Sequence, residues 1–334
     1  MERLRILAIE TSCDETAVAI VEDGKTLLSN IVSSQISVHT KFGGVVPEVA
    51  SRIHVENISV VLAEALEKAG LTMDDIDAIA VTHGPGLVGS LHIGIQAAKA
   101  LAWYYEKPLV PVHHIAGHIY ANRFVSEIEY PLLALVVSGG HTELVYLKSE
   151  FAFEILGSTQ DDAIGEAFDK VARVMGLPYP GGPAIDKLAK TGVKHYRLPK
   201  VKTEKELDFS FSGLKSAVLQ FNAKQTKIKE DVIPADLAFA FQEAALGELL
   251  QKSKSAIETY DVKQFVLAGG VAANSRLREL VTQLKDRYPD LKITIPPMWC
   301  CTDNAAMIAM AGTLAYLAGQ RADLSLSADP GLQL

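Results

Sequence analysis

A chain of 334 residues, 49% hydrophobic and 22% charged, has the composition of a folded globular protein and the length of two domains. A net charge of −8 argues against indiscriminate nucleic-acid binding. Three cysteines, two of them adjacent at Cys300 and Cys301, make no disulfide framework and fall short of a structural zinc set.

The chain starts directly in a strand pattern, Leu4 to Ile9, without a cleavage-type segment, and no apolar run is long enough to span a bilayer. A cytoplasmic protein with no membrane partner is therefore expected. Leu4–Val21 reads as strand, small polar turn, strand, and Leu132–Tyr146 repeats that form. Both turns are rich in small residues, which leaves backbone N–H groups open to an anion. Strand and helix alternate after each hairpin, at Ile76–Val81 with the helix after Gly89 and at Gln264–Leu267 with the helix after Asn274. Two copies of one hairpin-led α/β domain are expected, with a ligand cleft between them. The first would span 1–130, with the C-terminal stretch 302–334 packing back on it, and the second 131–301.

Gly84-Pro-Gly-Leu-Val-Gly89 fits G-x-G-x-x-G, but the next strand ends in His113 and His114, not in the acid that would hold a ribose. That argues against a nicotinamide site. No Walker-type P-loop occurs. His113-His-Ile-Ala-Gly-His118 follows the apolar run Leu109–Val112, where a strand hands over to a helix. If the helix starts near His113, His114 and His118 share one face at metal-binding separation; two capping or core histidines are the alternative.

Gly165–Arg173 reads as an amphipathic helix leading into the turn Tyr179–Asp186, whose neighbouring carboxylates, Asp169 and Asp186, suit ribose hydroxyls or simple solvation. From Lys187 to Lys229, ten lysines and one arginine face three acids, a balance of +8 that leaves −16 on the rest. This tract is either a phosphate-backbone contact or a solvated face. Leu267–Leu277 reads as strand, two glycines and helix, with Asn274 as cap or ligand contact. Asp303, just before the last helix, reads as an N-cap or as the carboxylate completing a two-His, one-carboxylate set.

These segments in order resemble the tRNA threonylcarbamoyladenosine transferases, formerly described as sialoglycoprotein endopeptidases. The resemblance rests on Glu10-Thr-Ser-Cys-Asp-Glu-Thr-Ala17, Gly84-Pro-Gly-Leu87, His114-Ile-Ala-Gly-His118, Ser138-Gly-Gly-His-Thr142 and Gly165-Glu-Ala-Phe-Asp-Lys170. It continues in Tyr179-Pro-Gly-Gly-Pro183, Phe209-Ser-Phe-Ser-Gly213, Gly269-Gly-Val-Ala-Ala-Asn274 and Cys301-Thr-Asp-Asn304. The histidine motifs look like the bacterial branch.

The resemblance implies a duplicated actin-like, sugar-kinase-like fold and a metal, iron ahead of zinc, held by His114, His118 and Asp303. It implies nucleotide contacts at Val137, Ser138, Gly139, Gly140, Asp169, Gly182, Asp186 and Asn274. The donor would be threonylcarbamoyl-AMP and the acceptor the tRNA adenosine 3′ of the anticodon. An inactive paralogous subunit and a small P-loop ATPase would be partners, and a homodimer is open. No general base stands out; Asp14, Glu15 and His141 are equal candidates. A zincin metalloprotease needs a Glu after the first His, where this chain has Ile115. A non-enzymatic ATP-binding regulator is a further alternative, against which the three-ligand set speaks.

Overall fold

The computed structural model describes residues 3–199, 203–228 and 231–334. The chain divides into two compact units, Met1–Glu127 with Pro297–Leu334, and Ile128–Pro296. In the first unit, β1 (Arg5–Glu10), β2 (Glu15–Glu22) and β3 (Thr26–Ser34) form an antiparallel meander. β4 (Ala78–Gly84) then pairs parallel to β1, and β5 (Leu109–His113) parallel to β4, giving the order β3-β2-β1-β4-β5.

The second unit repeats this plan. β6 (Leu132–Val137), β7 (Thr142–Leu147) and β8 (Phe153–Ser158) form the meander, and β9 (Gln264–Ala268) and β10 (Lys292–Thr294) extend it in parallel. The order β10-β9-β6-β7-β8 is that of the first sheet read from the other edge. The sequence repeat between the hairpins is thus a repeat of topology.

The central strands are buried on both faces, which explains why Ile6–Ile9 and Leu132–Val137 read as unbroken apolar runs. On one face of the first sheet, Leu7, Ile9, Ile79 and Val81 pack with Leu91, Ile95 and Ala98 of the helix Val88–Tyr104. Val61 and Ala65 of the helix Pro47–Ala69 join the same cluster. The last helix, Ala305–Leu317, also packs on this sheet. It is buried from Ala305 to Ala315, as an all-apolar helix must be. A Cβ on Gly312 would come within 2.5 Å of the Ala80 Cβ, so only glycine permits this helix-to-sheet approach. Among the described residues no helix is long and apolar enough to cross a membrane.

Candidate functional site

β5 ends at His113, whose extended backbone and Nδ1, accepting from the Ile115 N–H at 3.1 Å, start the helix His114–Tyr120. The first helical residue is therefore His114, and His118 follows one turn later. Both are buried, with their rings edge-on at 4.8 Å between centroids. Asp303 arrives from the segment before the last helix. Its Oδ1 lies 3.1 Å from His118 Nε2 and 3.5 Å from His114 Nε2. Asn304, not Asp303, caps that helix, by accepting from the Met307 N–H at 3.1 Å. The cap being supplied next door, the Asp303 carboxylate is left to face the histidines.

Ligand atoms of His114, His118 and Asp303 lie within 4.8 Å of one another, so a modest inward rotation of the side chains would bring them onto one ion with bonds of about 2.0–2.2 Å. His114 Nδ1 lies 3.0 Å from Glu10 Oε2 and 3.1 Å from Ser12 Oγ. A ring donating from Nδ1 to a carboxylate turns its Nε2 lone pair toward Asp303, the usual outer support of a metal-binding histidine. Thr82 Oγ1 in turn donates to Glu10 at 2.6 Å.

Charge tells the same story. Burial disfavours the His114 imidazolium, yet the Asp303 and Glu10 carboxylates outweigh it and push its pKa up to about 9. Burial likewise opposes the Glu10 carboxylate, but the His114 charge and hydrogen bond hold it below the ordinary value. Glu15, at the start of β2, is pushed up to about 10 by burial and by the Asp303 and Asp14 charges. Glu10 and Asp303 thus favour a positive charge between them, the His114 imidazolium in the metal-free protein, and the His114, His118 and Asp303 donor set suits a divalent metal.

Among the base candidates, Asp14 and Glu15 thus lie within electrostatic reach of each other, and Glu15 also feels Asp303. His141 belongs to the second unit, at the β6–β7 tip, where its N–H donates to Ser138 Oγ at 3.0 Å. Sequence reasoning gave no role to Glu10, Ser12 or His113. A signal was present in Glu10, an acid ending the apolar run Ile6–Ile9 and fully buried in the fold.

In the second unit the candidate nucleotide residues gather at the carboxyl ends of β6 and β9. Val137 ends β6, and Ser138 to Gly140 form the turn. The Gly165 N–H donates to the Ser138 carbonyl at 3.1 Å, bringing the start of the helix Ile164–Val174 against that turn. Gly269, with φ of +90°, passes so close that a Cβ would lie 2.4 Å from the Val137 carbonyl oxygen. A Cβ on Gly139, Gly140 or Gly182 would meet nothing within 4 Å, so these backbones border open space.

Asp169 accepts from the Gly181 N–H at 2.6 Å, at the start of the helix Gly181–Ala189 that contains Gly182 and Asp186. Burial raises the Asp169 pKa against those backbone hydrogen bonds. Asp186 accepts from Ser275 Oγ at 2.9 Å. Asn274 caps the helix Ser275–Thr282 through the Leu277 N–H and donates to Gln242 Oε1 at 2.9 Å. The starts of the helices Ile164–Val174 and Ser275–Thr282 thus lie beyond the carboxyl ends of β6 and β9, and helix N-termini suit phosphate.

Of the basic tract, Lys187, Lys190, Lys194, Arg197, Lys205 and Lys224 are exposed. Lys200, Lys202 and Lys229 lie outside the described residues. Lys194 and Arg197 border a cavity of about 620 Å3 against Phe239 and Glu243.

Comparison with solved structures gives the fold class. Component A of (R)-2-hydroxyglutaryl-CoA dehydratase from Acidaminococcus fermentans is 14% identical, with a TM-score of 0.54 over 95% of this chain and 99% of that one. HypF from T. kodakarensis is 16% identical, with a TM-score of 0.63 over 95% of this chain and 48% of its own. At such identities the likeness speaks for the fold alone, which is the duplicated actin-like, sugar-kinase-like α/β class. Sequence relatives are much nearer. A tRNA N6-adenosine threonylcarbamoyltransferase of Bacillus cereus is 59% identical over 98% of this chain and 96% of its own length. Its namesake in Bacillus subtilis is 57% identical over 98% and 95%. The family model of that description, TsaD, matches residues 26–310. With this match along most of its length, the chain belongs to the tRNA N6-adenosine threonylcarbamoyltransferase family.

Proposed function

We propose that this chain transfers the threonylcarbamoyl group from threonylcarbamoyl-AMP to the exocyclic amine of the adenosine 3′ of the anticodon, position 37, in tRNAs reading codons that begin with A. The observation that carries this reading is the His114–His118–Asp303 convergence inside a chain of this family. In the reaction the adenosine N6 attacks the carbamoyl carbon. The bond from that carbon to the phosphate oxygen breaks, AMP leaves with the electron pair, and the amine gives up a proton.

His114, His118 and Asp303 would hold one divalent metal, iron ahead of zinc. When bound, such an ion with open coordination supplies Lewis acidity toward the oxygens of the donor. Glu10 and Ser12 hold the His114 ring in its binding tautomer. In the second unit, Val137 and the Ser138–Gly140 turn with Gly182 would let phosphate approach bare backbone, and Asp169, Asp186 and Asn274 would frame the nucleoside. An aromatic amine is a weak nucleophile, so orientation contributes heavily to the rate. Asp14 and His141 remain candidates for taking the proton; Glu15, pushed up to about 10 by burial and by the Asp303 and Asp14 charges, would serve only once a bound cation offsets Asp303.

The partners we assign are tRNA, a paralogous inactive subunit and a small P-loop ATPase, in the cytoplasm. Ile115 in place of a zincin glutamate speaks against the protease reading. The test supplies preformed threonylcarbamoyl-AMP, labelled in threonine, to tRNA and the partner proteins with and without this chain. Label should reach tRNA only when the chain is present; equal transfer in its absence removes the assignment.

A further inference from the structure

The ring of His113 is held from two sides. Its Nε2 lies 3.3 Å from the Leu332 carbonyl oxygen, and its Nδ1 lies 3.1 Å from the Ile115 backbone nitrogen. A carbonyl oxygen only accepts and an amide N–H only donates. One ring form satisfies both contacts, with the proton on Nε2 and the lone pair on Nδ1. The other neutral tautomer, or the imidazolium, loses the cap on the helix that begins with His114.

Leu332 belongs to a C-terminal segment laid along the turn after β4. The Asp329 N–H donates to the His83 carbonyl at 2.8 Å, and the Gly86 N–H to the Pro330 carbonyl at 3.3 Å. A Cβ on Gly84 would fall 2.0 Å from the Asp329 carbonyl oxygen and 2.8 Å from the Leu332 Cβ, so segment and turn touch directly. The same turn leans on Ser12, whose carbonyl accepts from the Leu87 N–H at 2.8 Å. Ser12 Oγ lies 3.1 Å from His114 Nδ1. Two routes therefore run from an exposed segment to one buried imidazole. One passes through the His113 ring to the start of the helix, the other through the turn to Ser12.

We propose that His113 and the Asp329–Leu332 segment are positioning elements for the metal site. They fix the first turn of the helix His114–Tyr120 and hence the direction of His114 Nε2. The inference rests on the reading of His114, His118 and Asp303 as metal ligands.

The experiment titrates Zn2+ into the metal-free full-length protein in competition with a chromophoric chelator. His113→Ala and a chain ending at Ala328 should each weaken Zn2+ binding about 10-fold or more, the usual scale for loss of an outer support. His113→Asn, which keeps one donor, one acceptor and N-cap character, should stay within about threefold of wild type. Nitrogen-15 NMR of the imidazoles should find His113 protonated at Nε2 in the wild type and a mixture of tautomers in the shortened chain. Wild-type affinity in both altered proteins overturns the inference, as does a wild-type His113 protonated at Nδ1. Wild-type protein that takes up no Zn2+ would instead sink the ligand reading, and the inference with it.

Discussion

The Asp303 carboxylate stands 3.1 Å from His118 Nε2 across 185 positions of sequence. The contact exists because the last helix packs beside the His114–Tyr120 helix, with Gly117 set so close to Ile308 that a Cβ would come within 2.8 Å of its Cδ1. Nothing in such a packing requires a carboxylate facing two imidazoles. Three polar groups gathered where apolar contact would serve fit the metal proposed here.

Removing a ligand should therefore differ from removing its support. His114→Ala, His118→Ala and Asp303→Ala should each abolish stoichiometric metal and transfer. Glu10→Gln, which keeps the size but loses the charge behind His114, should retain metal with an affinity lowered about 10–100-fold. Elemental analysis after desalting, with chelator competition, separates the two classes.

Metal should also stabilise the protein, since its ligands come from segments far apart in the chain. An ion at about 100 times its Kd adds about 2.7 kcal/mol if the unfolded chain does not bind it. For a domain of this size that raises Tm by roughly 5–10 °C. Calorimetry should show the shift in wild type and its loss in Asp303→Ala.

Much of the fold was legible because the central strands carry unbroken apolar runs and both hairpins carry small polar tips. The pair His114 and His118 was legible because one helical turn separates them. Asp303 was ambiguous for a local reason: Asp and Asn both cap helices, and the neighbouring Asn304 took that role. Glu10 was passed over because its partner, His114, lies 104 positions away, and only the β1–β4–β5 pairing brings them together. Asn274 was read as either cap or ligand contact, and its carbonyl oxygen caps.

The acids around Asp303 give a pH prediction. Folded Glu15 holds its proton up to about 10, far above the ordinary glutamate value of 4.5, because of burial and then the Asp303 and Asp14 charges. A group whose pKa is raised on folding contributes stability below its unfolded pKa and loses it as pH climbs toward the folded one. Metal-free wild type should lose stability between pH 5 and about pH 8 relative to Glu15→Gln. Saturating metal, which offsets the Asp303 charge, should narrow that gap. Urea midpoints of both proteins at the two pH values, with and without metal, decide the matter; a pH-independent difference would remove the electrostatic account.

The basic tract gives the last prediction. Lys194 and Arg197 are exposed on the segment before the undescribed residues that include Lys200 and Lys202. An acidic protein that must hold RNA concentrates its cations, and each phosphate they neutralise releases condensed counterions. Affinity for tRNA should then fall steeply with salt, and replacing Lys194, Arg197, Lys200 and Lys202 by glutamine should weaken binding and flatten that slope by up to about one unit per lost contact. Binding of threonylcarbamoyl-AMP should not change, because its proposed contacts lie at the ends of β6 and β9. Filter binding over a salt series measures the slope, and calorimetry measures the adenylate. If the fourfold variant keeps both wild-type tRNA affinity and wild-type salt slope, the tract is a solvated face and another surface, on this chain or on a partner, carries the RNA.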